Sequence, residues 1–262
     1  MSTSPTPQPD YGFDGPRGLV MLFGASVVCA LAAFWLGGLQ GYSSWLIIAA
    51  QVALLVVALD TSLLAGSLMW YSKVVKPRER ERLLDLIPWR GEERVLDVGC
   101  GRGLLLVGAA RRLTTGRAVG VDVWHGLQLS GNSPQAVEEN ARRAGVAERV
   151  EVHNGDARTL PFPDASFDVV LSSLVLHNIP SQTERRQAVR EIARVLKPGG
   201  HVAILDARHT RDYARVLEDC GLTQSRQQLA GWFLSVWFPL LSCGLMRFRR
   251  VTAKKPVAVT HP

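Results

Sequence analysis

The apolar positions of this chain fall into two regimes. From Gly18 to Leu39, 22 consecutive residues carry no charge, and after the uncharged connection Gly37 to Ser44 a second apolar run extends from Trp45 to Tyr71, interrupted by Gln51 and Asp60. At 1.5 Å of rise per residue, each run exceeds the roughly 30 Å hydrocarbon core of a bilayer. Both therefore read as transmembrane helices, with residues 18–71 forming a helical hairpin. A secretory signal peptide competes for the first run. Against it stand Asp10 and Asp14 facing a single Arg17, and a run longer than an h-region.

Beyond Arg94 the pattern changes to short apolar runs alternating with amphipathic stretches, the mark of an α/β domain with a largely parallel sheet. The spacing predicts strands at Arg94 to Val98, Ala118 to Val123, Val150 to Asn154, Phe167 to Ser172 and His201 to Asp206. Helices are predicted at Leu104 to Leu113, Gln135 to Ala144 and Thr183 to Leu196, the last opened by a capping box of Ser181 and Glu184. Further on, Asp212 to Gly221 reads as a helix and Met246 to Thr252 as a basic strand. Between them Ala230 to Leu241 is rich in aromatics, too short to span a bilayer and broken by Pro239. It reads as a packed connection, an interfacial surface or the wall of an apolar pocket.

Charge refines the membrane reading. Part of the net charge of +7 comes from Lys73, Lys76, Arg78, Arg80 and Arg82, directly after the second apolar run and with only Glu79 and Glu81 against them. The positive-inside rule puts that end, both termini and the α/β domain in the cytoplasm. Such a cluster suits anionic lipid, and no zinc finger or RNA-binding motif elsewhere supports a nucleic-acid partner. Trp35, Tyr42 and Trp45 around the turn and Trp70 and Tyr71 at the far end sit where aromatic belts form. Asp60, inside the span, is by default a functional position, unless it approaches the headgroups or is protonated and bonded to the facing helix. The four cysteines lie far apart, which excludes a disulfide framework and zinc-ligand spacing; no metal is expected.

The first predicted strand runs into Asp97-Val98-Gly99-Cys100-Gly101-Arg102-Gly103 and then the apolar helix start Leu104-Leu105-Leu106. Glycines at a strand-to-helix turn admit a ligand close to the backbone, and the helix start supplies free N–H groups. A dinucleotide fingerprint, G-x-G-x-x-G, would need glycine at position 104, so a nicotinamide-dependent oxidoreductase is disfavoured. Val95 to Gly103 resembles motif I of the class I S-adenosylmethionine (SAM) dependent methyltransferases, and the resemblance continues to about Lys254. Gly120-Val121-Asp122 resembles the strand end whose acid binds the ribose hydroxyls, with Val123 against adenine. Asn154-Gly155-Asp156-Ala157 resembles the stretch whose aspartate accepts the adenine amino group. Leu160 to Asp168 and Arg194 to Gly200 are similar to the flanks of strands four and five in the small-molecule branch, which includes the ubiquinone and menaquinone C-methyltransferases.

The resemblance implies a Rossmann-like, doubly wound α/β sheet preceded by two transmembrane helices, with SAM as cofactor. It implies cofactor-binding roles for Asp97, Gly99, Cys100, Gly101, Gly103, Asp122, Val123, Gly155, Asp156, Ala157 and Ser172. Cys100 reads as a small loop residue. His177 follows strand four in the loop that faces the transferred methyl, and is the expected catalytic residue, removing a proton from the acceptor. Trp124 to Pro134 is an insertion that covers the cofactor, lines an acceptor entrance or is a plain loop. No [N/D]-P-P-[Y/F/W] sequence follows strand four, which disfavours nucleic-acid and glutamine acceptors.

The domain boundaries expected are a disordered tail at 1–17, the hairpin at 18–71, a basic juxtamembrane linker and helix at 72–93, the methyltransferase domain at 94–254 and a tail at 255–262. The expected function is an integral membrane methyltransferase acting on an apolar or membrane-dissolved small molecule such as a lipid, quinone precursor or terpenoid. The alternative is a SAM-binding membrane sensor or scaffold without turnover.

Overall fold

A computed structural model describes residues 8–12, 16–38, 45–125, 129–241 and 247–257. Two long helices lead the chain, α1 (Pro16–Gly38) and α2 (Trp45–Trp70). Both are long and apolar enough to cross a membrane. Where they meet, the buried residues are small, Ala33, Ala58 and Ala65. Small side chains let helix backbones approach closely. The Ser26 hydroxyl adds bonds to the Ala58 carbonyl (3.0 Å) and the Ser62 hydroxyl (2.6 Å). Outward, both helices expose Met21, Leu31, Phe34, Leu46 and Leu59. Asp60 is exposed as well.

The expected linker after the second run is itself helical. A π-helical turn, Tyr71–Val75, joins α2 to α3 (Lys76–Leu84), so the helix leaving the hairpin continues into the domain. This redirects part of the basic run. Lys76 and Arg80 turn toward the domain's cavity, while Arg82 pairs with the buried Glu79.

The domain is a seven-stranded sheet: β1 (Arg94–Val98), β2 (Arg117–Asp122), β3 (Val150–Asn154), β4 (Phe167–Ser173), β5 (Leu196–Asp206), β6 (Thr223–Leu229) and β7 (Arg249–Lys254). Their order across the sheet is β3-β2-β1-β4-β5-β7-β6. The first five run parallel, and β7 inserts antiparallel between β5 and β6. Successive side chains on a strand face opposite sides, so β1 sends Val95 into one core with Leu83, Leu106 and Leu113, and Leu96 into the other with Ile192, Leu196 and Tyr213. The helices α4 (Leu104–Ala110), α5 (Pro134–Arg143), α6 (Gln182–Val195) and α7 (Thr210–Asp219) follow the expected pattern, and Ser181 caps α6 by accepting the Glu184 N–H. A short α8 (Phe238–Leu241) follows a second π-helical turn, Phe233–Trp237.

Three elements differ from the sequence expectation. β5 begins at Leu196, because the Gly199 N–H bonds to the Lys255 carbonyl and the Lys255 N–H to Gly200, extending the strand through Pro198. β6 was absent from the expectation; its polar sequence, mostly exposed, is held by backbone bonds to β7. Polar edge strands of this kind discourage association through the sheet edge. The predicted tail is ordered in part, since residues 8–12 lie against the domain. There Asp10 exchanges two bonds with Asn140 of α5 (2.8 Å each) and pairs with Arg102 (3.1 Å) and Lys73 (3.2 Å). Residues 1–7 and 258–262, assigned to tails, and 39–44, at the hairpin turn, lie outside the described residues, as do Met246 and Gly126 to Gln128.

Candidate active site

The carboxyl ends of β1, β2 and β4 open onto one cavity of about 700 Å³, within the range of small-molecule sites. The glycine turn after β1 forms its floor. Gly99 and Gly101 have φ of +72° and +57°, a region other residues enter only at a cost. A Cβ on Gly99 would overlap Val175, and one on Gly101 would come within 2.8 Å of Leu129. Leu129 belongs to the insertion after β2, so that loop closes over the glycine turn. His125 and Asn132 of the same insertion also line the cavity.

The acidic residues at the strand ends differ in character. Asp97 is 1% exposed, and its Oδ2 is buried without a hydrogen-bond partner. Burial, reinforced by the nearby charge of Asp122, pushes its carboxyl up to about 8. Asp122 is held from three sides: Oδ2 accepts the Gly101 N–H (2.8 Å), and Oδ1 accepts the Trp124 N–H (2.8 Å) and the Asn132 side-chain amide (3.3 Å). Asp156 is gripped by Arg158, whose Nη2 lies 2.6 Å from Oδ2, and this ion pair holds its carboxyl below the usual range.

His177 stands in the same cavity. Its Nδ1 lies 2.5 Å from Oδ1 of Asp206, at the end of β5. Asp206 is fully buried and also accepts N–H bonds from Ala207 (2.7 Å) and from His177 itself (3.1 Å). With Nδ1 donating to the carboxylate, Nε2 is left as the acceptor nitrogen of the ring. Histidine oriented by a buried carboxylate is an arrangement suited to proton removal.

Of the residues expected at the site, Asp97, Gly99, Cys100, Gly101, Asp122, Val123, Gly155, Asp156, Ala157 and His177 line this one cavity. Gly103 and Ser172 do not. Gly103 starts α4 with φ +82°, and a Cβ there would press on Val137 of α5. Ser172 is 1% exposed, its hydroxyl spent on the Val98 carbonyl (3.0 Å), and Ser173 lines the cavity in its place. The Cys100 thiol is buried and pushed well above its usual range, as befits an unreactive packing residue. The sequence reading missed Asp206, Asn132 and Tyr11. Asp206 carried a signal, an acid at the carboxyl end of a strand. Tyr11, in a stretch without periodicity, carried none.

A protein family described as a methyltransferase domain matches residues 96–204. The matched segment runs from β1 into β5 and includes the glycine turn and Asp97, Asp122 and Asp156. Over 129 residues the chain is 39% identical to 27-O-demethylrifamycin SV methyltransferase of Amycolatopsis mediterranei, covering 49% of this chain and 44% of that protein. It is 30% identical over 127 residues to a ubiquinone/menaquinone biosynthesis C-methyltransferase of Roseobacter denitrificans, covering 48% and 47%. The chain thus spans about half the length of these curated relatives. A SAM-dependent methyltransferase from Aquifex aeolicus shares the fold, with a TM-score of 0.52 at 20% identity, over 67% of this chain and 88% of that one.

The cavity fits SAM. SAM carries an ammonium group, a ribose diol and an adenine amino group, all donors, and Asp97, Asp122 and Asp156 line one cavity as acceptors. The unpartnered Oδ2 of Asp97 in particular suits a cationic donor, whose charge would offset the cost of burying a carboxylate.

Proposed function

We propose that the chain is a membrane-anchored methyltransferase that moves the methyl group of SAM to an apolar, membrane-dissolved small molecule, such as a lipid, quinone precursor or terpenoid. The observation that carries this reading is the meeting, in one cavity, of the glycine turn with its three aspartates and the His177–Asp206 pair. Two apolar, largely exposed helices of 23 and 26 residues support the anchoring. Lys73, Arg78 and Arg82 at the base of the hairpin favour an anionic, cytoplasmic membrane face.

Each residue has a definite task in this reading. Asp97 receives the ammonium group, Asp122 the ribose hydroxyls and Asp156 the adenine amino group, while Gly99 and Gly101 keep the backbone low enough for close approach. When bound, SAM supplies an electrophilic methyl group on a sulfonium. His177 takes the acceptor's proton at Nε2, and Asp206 holds the ring in the required tautomer and balances the imidazolium that forms. The arrangement favours an acceptor with an ionisable O–H or an activated C–H.

Full-length protein incubated with methyl-labelled SAM and native membranes tests the proposal. Label in the organic extract, lost in His177→Ala, is the expected result. Binding of SAM with no transfer to any extracted lipid would instead identify a SAM-binding sensor.

A further inference from the structure

The cavity wall is not supplied by the methyltransferase domain alone. Gly18, in the first turn of α1, and Leu68 and Tyr71, where α2 passes into its π-helical turn, line the same cavity as Asp97, Asp122 and His177. Tyr71 is buried, with its ring 5.7 Å from that of Phe248, a further lining residue, whereas Gly18 is exposed and stands at the rim. These residues sit where the two apolar helices begin and end, the depth at which hydrocarbon gives way to headgroups in an anchored protein. The outer surface there is apolar too. Met21 and Trp70 are exposed on the helices, and Trp232 and Trp237 lie alongside, the Trp237 indole donating to the Ser67 hydroxyl at 3.2 Å.

Gly18 lines the cavity at its exposed rim, and a Cβ built on it would meet nothing within 4 Å, so the position has room for a larger side chain. We infer that the acceptor enters sideways from the bilayer, between the start of α1 and the end of α2, and that Gly18, Leu68 and Tyr71 form its binding wall. The ligand class is a lipid with a long aliphatic or isoprenoid chain and a head that carries an ionisable O–H. Its chain stays beside the hairpin while its head reaches Nε2 of His177. A lateral entrance spares the chain exposure to water, which each methylene resists. The inference rests on the methyltransferase reading and makes the hairpin part of the acceptor site as well as an anchor.

The test uses full-length protein in phosphatidylcholine/phosphatidylglycerol nanodiscs containing a trace of a diazirine-bearing long-chain alkylphenol. After photolysis, cross-links are mapped on peptides, and SAM affinity is measured calorimetrically on the same samples. The expected result is labelling of Leu68, Tyr71 and Phe248 and of the inner wall at Leu174 to Ile179. In Gly18→Trp, whose side chain fills open space, inner-wall labelling should fall at least tenfold with SAM affinity unchanged. A wild-type protein labelled on the outer hairpin surface but not on the inner wall would overturn the inference, as would undiminished inner-wall labelling in Gly18→Trp. Absence of SAM binding in the wild type would defeat the methyltransferase reading instead, and the labelling pattern would still decide the entrance.

Discussion

Glu79 on α3 and Arg250 on β7, 171 positions apart, form a buried ion pair in which the guanidinium donates to Oε2 through Nη2 (2.8 Å) and Nε (3.3 Å). The other carboxylate oxygen of Glu79 accepts the Gly231 N–H (3.1 Å) and the Arg82 guanidinium (2.6 Å). One side chain thus ties the helix leaving the hairpin to the inserted strand and to the aromatic turn after β6. Through this joint the hairpin's base is held as a wall of the cavity.

Glu79→Ala should therefore loosen that joint. Breaking one side of a buried pair leaves the other charge uncompensated, at a cost of about 3 to 5 kcal/mol. Thermal unfolding of the full chain should show a lower midpoint, and hydrogen exchange should quicken across residues 230–237 before it does so in β1. Unchanged exchange there would mean that the joint is held by other contacts.

Asp122→Ala should weaken SAM binding on two counts. The ribose hydroxyls lose a charged acceptor, worth about 1.5 to 3 kcal/mol, and the Gly101 N–H loses the bond that shapes the turn. Calorimetric titration should show an affinity at least tenfold lower.

The His177–Asp206 pair should control turnover and leave cofactor affinity alone. General-base catalysis typically contributes 10²- to 10⁴-fold, so His177→Ala should lose roughly that much in single-turnover methyl transfer. Asp206→Asn keeps the shape but leaves the ring's tautomer unspecified, and should reduce the rate and alter its pH profile. Wild-type rates in both variants would remove the pair from the mechanism.

Asp97 should make both stability and SAM affinity depend on pH. An unfolded aspartate titrates near 3.9, whereas Asp97 in the fold is pushed up to about 8. Between these values the folded protein holds a proton the unfolded chain has lost, so stability falls as pH rises through the window. An ammonium group bound at Asp97 favours the carboxylate, so SAM affinity should rise from pH 6 to pH 9. Asp97→Asn should flatten both dependences, seen in melting and titration series across that range. An unaltered slope would assign them to other groups.

The elements legible in the sequence are those whose residues state their own environment. The inner parallel strands β1, β2 and β4 are rich in apolar residues because both faces are covered, and the helices over them carry apolar stripes at helical spacing. The glycine turn and the acids at 97, 122 and 156 lie at or beside the carboxyl ends of β1, β2 and β3, so local order alone brings them to one edge of the sheet. β6 was hidden because an exposed edge strand needs no apolar pattern, and its partner β7 lies twenty or more positions away. The ordering of residues 8–12 was hidden for a related reason. Asp10 is held by Arg102, Lys73 and Asn140, partners that converge only once the chain has folded.

By itself the sequence determined that two apolar runs of membrane-spanning length precede an α/β domain, and that a glycine turn with strand-end acids lies in it, since these depend on periodicity and neighbouring residues. Only the tertiary structure decided that Asp206 meets His177, that Ser172 turns away from the cavity, and that Gly18, Leu68 and Tyr71 complete its wall. Those are contacts between distant segments, set by the strand order and by the continuous helix running from the hairpin into the domain, and no local pattern encodes where such segments meet.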